Sequence, residues 1–123
     1  LTFILVSAHV GEDSVYPLPD EHGQMEHSWA VHQIKTTTDF AINSVLVTQL
    51  YGAFNHHVVH HLFPHVCHIH YPALTEIMRR KLEIYGLTYN LNPTFLDALR
   101  SHYKLLVNHS KESIPLKLAE IEM

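Results

Sequence analysis

Residues 55–72 read NHHVVHHLFPHVCHIHYP, and seven of those eighteen residues are histidine. Neutral imidazole is the commonest protein ligand for transition metals. On a helix each residue turns about 100°, so His57, His60 and His61 (i, i+3 and i+4) share one face and can point at one small volume. His56 and His60 make a second i, i+4 pair, so spacing alone leaves the register open. Pro64 cannot donate to the carbonyl of His60 and disfavours helix at Phe63, which predicts a helix ending near LFP. His65, His68 and His70 lie beyond that end. His68 and His70 would share a face only in an extended chain.

The residues between these histidines narrow the metal. A zinc protease helix carries H-E-x-x-H, with the glutamate as general base. Here Val58 and Val59 stand between the ligands, so that base is missing. Surplus histidine set among valine and phenylalanine points instead to redox iron in an apolar, water-poor setting. A single cysteine, Cys67, excludes an internal disulfide framework, zinc ribbons and iron–sulfur clusters. Cys67 is expected to be a small packed side chain. His22, His27, His102 and His109 are expected to be solvated or hydrogen-bonded, and Asn108-His109-Ser110 matches a glycosylation tripeptide that arises often by chance.

The elements that must carry these residues fit in one domain of 123 residues. Hydrophobic residues make up 46% and charged residues only 16%, against a usual charged share of about a quarter. Such a chain belongs against a membrane or deep in a larger assembly. With a net charge of −4 and no basic stripe, nucleic acid is not a partner. The opening LTFILVSA reads as the tail of a longer apolar helix, with the chain incomplete before it, because a bilayer span takes about 20 residues. Residues 11–27 form an exposed loop. Ser28 suits an N-cap for a helix through WAVHQIKTTTDF. The uncharged stretch 40–54 predicts a buried or interface-lying helix, with a strand ranked lower. Pro72 at a first helical position opens a helix with Leu74, Ile77, Met78 and Leu82 on one face, and Gly86 stops it. Asn92 and Pro93 predict the cap and first residue of a last helix with Phe95, Leu96, Leu99, Tyr103 and Leu106 on its apolar face. Residues 111–123 read as a poorly ordered tail after a domain over 1–110.

HHVVHHLFPHVCHIHYPAL resembles the third histidine box of the membrane fatty acid desaturases, H/Q-x-x-H-H followed by L-F-P. The flanking SAHVGED, MEHSWAVHQIKTTTDFA, YGAFN and YGLTYN are similar to the front-end type that acts on acyl-CoA or acyl-lipid, over about residues 1–106. The usual pattern there is G-G-L-N-Y/F-Q-x-E-H-H; this chain places His57 at the glutamine position and Val59 at the glutamate position. Those changes bear on where a double bond would go, not on the metal. The first two histidine boxes are not in this sequence.

The resemblance implies an all-α fold: the C-terminal part of a helical integral-membrane desaturase. Its parts would be the end of a transmembrane helix, an interfacial helix, the histidine-box helix and two amphipathic cap helices. It implies that His57, His60 and His61 ligate iron, with His9 as the additional histidine after the last span; His56, His65, His68 and His70 stay outside the site. Trp29, Gln33 and Asn55 match recurring positions and are expected to pack or hydrogen-bond. Two iron ions, shared with the absent boxes, would use O2 and electrons from a cytochrome b5-type or ferredoxin donor to leave a cis double bond in a fatty acyl chain. The implied location is the endoplasmic reticulum or a bacterial cytoplasmic membrane, with the boxes facing the cytosol. This chain alone is expected to be inactive. Two alternatives are an acyl or sphingolipid hydroxylase or desaturase on the same scaffold, and a soluble histidine-rich metal-binding module.

Overall fold

The computed structural model describes residues 6, 8–12 and 15–111. Ala8 and His9 are helical, and Ala8 is buried. Then follow α1 (Trp29–Thr36), β1 (Asp39–Phe40), α2 (Val45–Leu50), α3 (His57–Leu62), a single 3-10 turn (His68–His70), α4 (Tyr71–Ile84), β2 (Leu91–Asn92) and α5 (Phe95–Lys111). The architecture is mostly helical, as expected, with one addition: β1 and β2 pair in parallel, Asp39 opposite Leu91 and Phe40 opposite Asn92. Among the described residues no helix is long and apolar enough to cross a membrane. The expected apolar opening helix and the tail fall largely outside the described residues.

Local chemistry explains where the elements end. Ser28 occupies the N-cap position of α1, although its side chain makes no cap bond. The helix stops at Thr36 rather than running on to Phe40, because three consecutive threonines follow Lys35. Their branched side chains favour extended backbone, and Thr37 adopts φ −122° and ψ 142°. The 40–54 stretch is not one helix either. Ala41, Gly52 and Ala53 all have positive φ, at 47°, 58° and 61°, which a right-handed helix excludes. Only the six residues of α2 remain helical, capped by Ser44 Oγ accepting from Val47 N–H. That helix buries none of its residues: Val45, Leu46 and Leu50 are 70, 74 and 72% exposed.

The C-terminal helices keep their expected type but shift in detail. Pro72 is the second residue of α4, not the first. At the other end Gly86, at φ 65°, closes a Schellman motif: Gly86 N–H donates to Glu83 and Leu87 N–H to Leu82. Leu82 and Leu87 meet in the core. For α5, Asn92 is drawn into β2, so Thr94 caps instead. Its hydroxyl accepts from Asp97 N–H at 3.1 Å while the Asp97 carboxylate accepts from Thr94 N–H at 3.2 Å, a reciprocal capping box. Of the expected apolar face of α5, Phe95 packs against Phe40 and Tyr51, but much of the rest does not face the core. Ala98 and Ser101 are buried, whereas Leu96, Tyr103 and Leu106 are exposed. Small residues let α5 approach the chain near Val10, where Ser101 Oγ accepts from Glu12 N–H and His102 Nδ1 donates to the Val10 carbonyl.

The main core joins Ile34 of α1, Val58 and Val59 of α3, and Tyr71, Met78 and Leu82 of α4. The two valines between the histidines are therefore anchors. They fix the roll of α3 about its axis, and so the direction of its imidazoles.

Candidate metal centre

Helix α3 is only six residues long, and its N-cap, His56, makes no side-chain cap bond. Its N-terminus is held from outside. Asp39 of β1 is fully buried, and its Oδ1 accepts from Val58 N–H at 2.8 Å while Oδ2 accepts from the Tyr89 hydroxyl at 2.5 Å. Burial pushes the Asp39 carboxyl up to about 6, opposed by the hydrogen bonds from Tyr89, Val58 and the His57 backbone and by nearby Arg79. The guanidinium of Arg79 lies 5.5 Å from the Tyr89 ring centre. A carboxylate on the exposed N–H groups of a helix start both satisfies them and opposes the helix dipole. The β1–β2 pair thus serves the histidine helix by holding Asp39 against it.

On this helix His57 and His61 converge with His9 from the start of the chain. His57 Nε2 lies 2.9 Å from His9 Nε2, and His61 Nε2 lies 3.2 Å from the same atom. The ligand atoms of all three lie within 4.8 Å of one another. The other ring nitrogens fix the protonation. His57 Nδ1 donates to the Phe54 carbonyl at 3.1 Å, and His61 Nδ1 donates to Gln33 Oε1 at 2.8 Å. A neutral imidazole carries one N–H, so both Nε2 atoms present lone pairs. His9 Nε2 carries one proton or none, and it cannot satisfy both neighbours.

Burial keeps these rings neutral. Burial first, then the neighbouring His9 and His61 rings, holds His57 down at about 3. Burial and the His9 and His60 rings hold His61 at about 4. Three nitrogens that cannot all hydrogen-bond one another fit a cation. Two nitrogens bound at about 2.1 Å to one metal lie about 3.0 Å apart at a right angle and about 3.4 Å apart at a tetrahedral angle; the His9–His57 and His9–His61 pairs, at 2.9 and 3.2 Å, lie near that spacing, within a cluster whose ligand atoms span up to 4.8 Å.

The structure brings together three of the four expected ligands. His60, the fourth, sits beside the cluster: its ring centre is 5.4 Å from that of His57, and its Nδ1 is 3.2 Å from the Tyr71 hydroxyl. Of the two registers open from spacing, His56 turns away. It is buried, its Nδ1 is 2.9 Å from Thr75 Oγ1, and burial holds it at about 4. His65, His68 and His70 are exposed. Asn55 hydrogen-bonds as expected, donating from Nδ2 to the Ala41 carbonyl and to Thr48 Oγ1. Two expectations fail. Trp29 is exposed, because α1 turns Ile34 to the core instead, and Cys67 is exposed on the turn after Pro64. Asp39 and Tyr89 were not legible as site-building residues; a lone aspartate next to an apolar run carries no spacing signal.

A family profile described as fatty acid desaturase matches residues 1–93. The chain belongs to the fatty acid desaturase family. It is 41% identical to an sn-1 linoleoyl-lipid 6-desaturase of Synechocystis over 111 residues, covering 89% of this chain and 31% of that protein. An acyl-lipid (8-3)-desaturase of Physcomitrium patens is 41% identical over 103 residues, 84% of this chain and 21% of that protein. A Delta(5) fatty acid desaturase A of Dictyostelium discoideum is 38% identical over 110 residues, 86% and 24% respectively. The chain thus spans less than a third of the length of these relatives. No solved structure matches it.

Proposed function

We propose that this chain supplies one wall of the di-iron centre of an O2-dependent fatty acyl desaturase that introduces a cis double bond. The convergence of His9, His57 and His61 Nε2 carries this reading. Three neutral imidazoles with no carboxylate among them suit iron, zinc or copper, and in this reading the metal is iron. In this reading His9, His57 and His61 would hold one iron, and His60, on the same helix, would serve the second. The remaining ligands come from sequence outside this chain. Bound iron supplies the O2-dependent removal of hydrogen from two neighbouring methylenes.

The residues of this chain do the rest. Phe54 and Gln33 hold the Nδ1 protons so that each Nε2 faces the metal, and Val58 and Val59 lock the helix that carries them. No acid or base side chain is required to move a proton.

The names of the relatives favour a lipid-linked acyl chain as substrate. The reading also includes a cytochrome b5-type or ferredoxin electron donor and an integral-membrane setting with the histidines on the cytosolic side. Exposed Val45, Leu46 and Leu50 of α2 support contact with lipid. Fatty acid analysis by gas chromatography, after expression of the full-length protein that carries this chain in a host lacking the activity, tests the reaction. One additional cis double bond is expected; a hydroxylated acyl chain as product would overturn it.

A further inference from the structure

Gln33 lies on α1, 28 residues from His61 in sequence, and its Oε1 accepts from His61 Nδ1 at 2.8 Å. We propose that Gln33 is the positioning residue of the metal centre: its side-chain oxygen selects the His61 tautomer and aims its Nε2 lone pair at the cluster. This inference rests on the metal-site reading above and adds a residue that holds no metal itself.

The two helix-borne rings solve the same problem in different ways. His57 Nδ1 is held by a backbone carbonyl, that of Phe54, which no substitution removes. His61 has no such local acceptor in contact with its Nδ1; its partner is a side chain from another helix. The Gln33 amide could present either of two ends, an acceptor oxygen or a donor nitrogen. Only the oxygen is compatible with a ligand. If the amide nitrogen faced His61 Nδ1, that atom would be the lone pair and Nε2 would carry the proton. His61 Nε2–H would then point into the space shared with His9, 3.2 Å away, and could not bind metal. A metal held by the cluster therefore requires the oxygen.

The wall around Gln33 shows why the position can be held. Ile34, the next residue, is buried in the main core and fixes the roll of α1. α1 packs directly on α3, so the Gln33–His61 bond bridges two elements already in contact. On its other side Gln33 lines a cavity of about 370 Å³ together with His9, His32, Thr37 and His61. The carboxamide thus lies in the wall of a cavity that His61 and His9 also line. Partners of this kind orient a ligating ring and raise its basicity.

The choice between acceptor and donor gives a decisive substitution. Gln33→Glu offers only acceptor oxygens when ionised, so it keeps the His61 tautomer if Gln33 accepts and reverses it if Gln33 donates. Gln33→Met keeps the volume and removes the acceptor, and Gln33→Asn keeps the amide but is one methylene too short to reach. The purified protein is titrated with Co2+, read by its visible absorption bands, with thermal unfolding of the metal-free form as a control. Expected are Gln33→Glu within a few-fold of the parent, and Gln33→Met and Gln33→Asn weakened about 10–100-fold with altered bands. Parent-like affinity and bands in Gln33→Met would overturn the inference, as would Gln33→Glu falling as far as Gln33→Met. If Gln33→Met fails to fold, the contrast between Gln33→Glu and Gln33→Asn decides in the same way. A parent protein that binds no Co2+ would instead overturn the metal site itself.

Discussion

His9 Nε2 is the atom shared by both short contacts of the cluster, 2.9 Å to His57 and 3.2 Å to His61. Removing it should therefore open the site more than any other single change. His9→Ala is expected to lower iron affinity by more than tenfold, measured by chelator competition, with the fold kept, because the ring is only half-buried. The legibility of these residues was uneven. His57 and His61 followed from helical spacing, since a four-residue step sets two rings on one face. His9 lies 48 residues from His57 and could be linked to it only through resemblance to a family. Spacing also could not choose between His56 and His57; the valine anchors decide that, by turning His56 to Thr75. Gln33 was legible as a hydrogen-bonding position, but its partner was not, because nothing in a sequence states which side chain an amide will face.

Asp39 links three elements: β1, which carries it, α3, whose N-terminus it holds, and the segment bearing Tyr89. Each buried donor left without an acceptor costs about 1–3 kcal/mol. Asp39→Leu strands the donors it holds, among them Val58 N–H and the Tyr89 hydroxyl. It should lower the denaturation midpoint and loosen metal binding by freeing α3. Adding Tyr89→Phe removes one of those stranded donors. The double variant should thus be more stable than the sum of the two single losses predicts; strict additivity would show that the pair is not coupled.

A smaller test of the same kind is Thr94→Ala at the start of α5, expected to cost about 1 kcal/mol in chemical denaturation. Helix existence was legible throughout, and so was the Gly86 stop. The β1–β2 pair was not, because two residues are too few to show alternation. The α5 face was legible only in part, for another reason: its buried residues are Ala98 and Ser101, which hydrophobic spacing does not mark.

At the scale of the whole molecule, the apolar residues are divided between a core and a large exposed set. Val45, Leu46 and Leu50 stand out on a helix that buries nothing. Replacing Leu46 and Leu50 by serine should weaken co-sedimentation of the protein with phospholipid vesicles and leave metal content unchanged, because α2 contributes no ligand. Unchanged vesicle binding would remove α2 from the lipid-facing surface. The low share of charged residues made an exposed apolar surface legible from composition. Its place within the 40–54 stretch was legible too, but not the extent of its helix, since positive φ at Ala41, Gly52 and Ala53 breaks what reads as one continuous helix.

In the proposed centre His57 and His61 of the histidine-rich tract hold metal together with His9 and His60 serves the second iron, whereas His65, His68 and His70 hold none. Iron content of the purified protein, measured by mass spectrometry after anaerobic loading, tests it directly. The parent and a triple alanine variant of His65, His68 and His70 should hold equal iron, while His9→Ala, His57→Ala and His61→Ala should each lose most of one iron. Iron retained in His61→Ala but lost from the triple variant would contradict it.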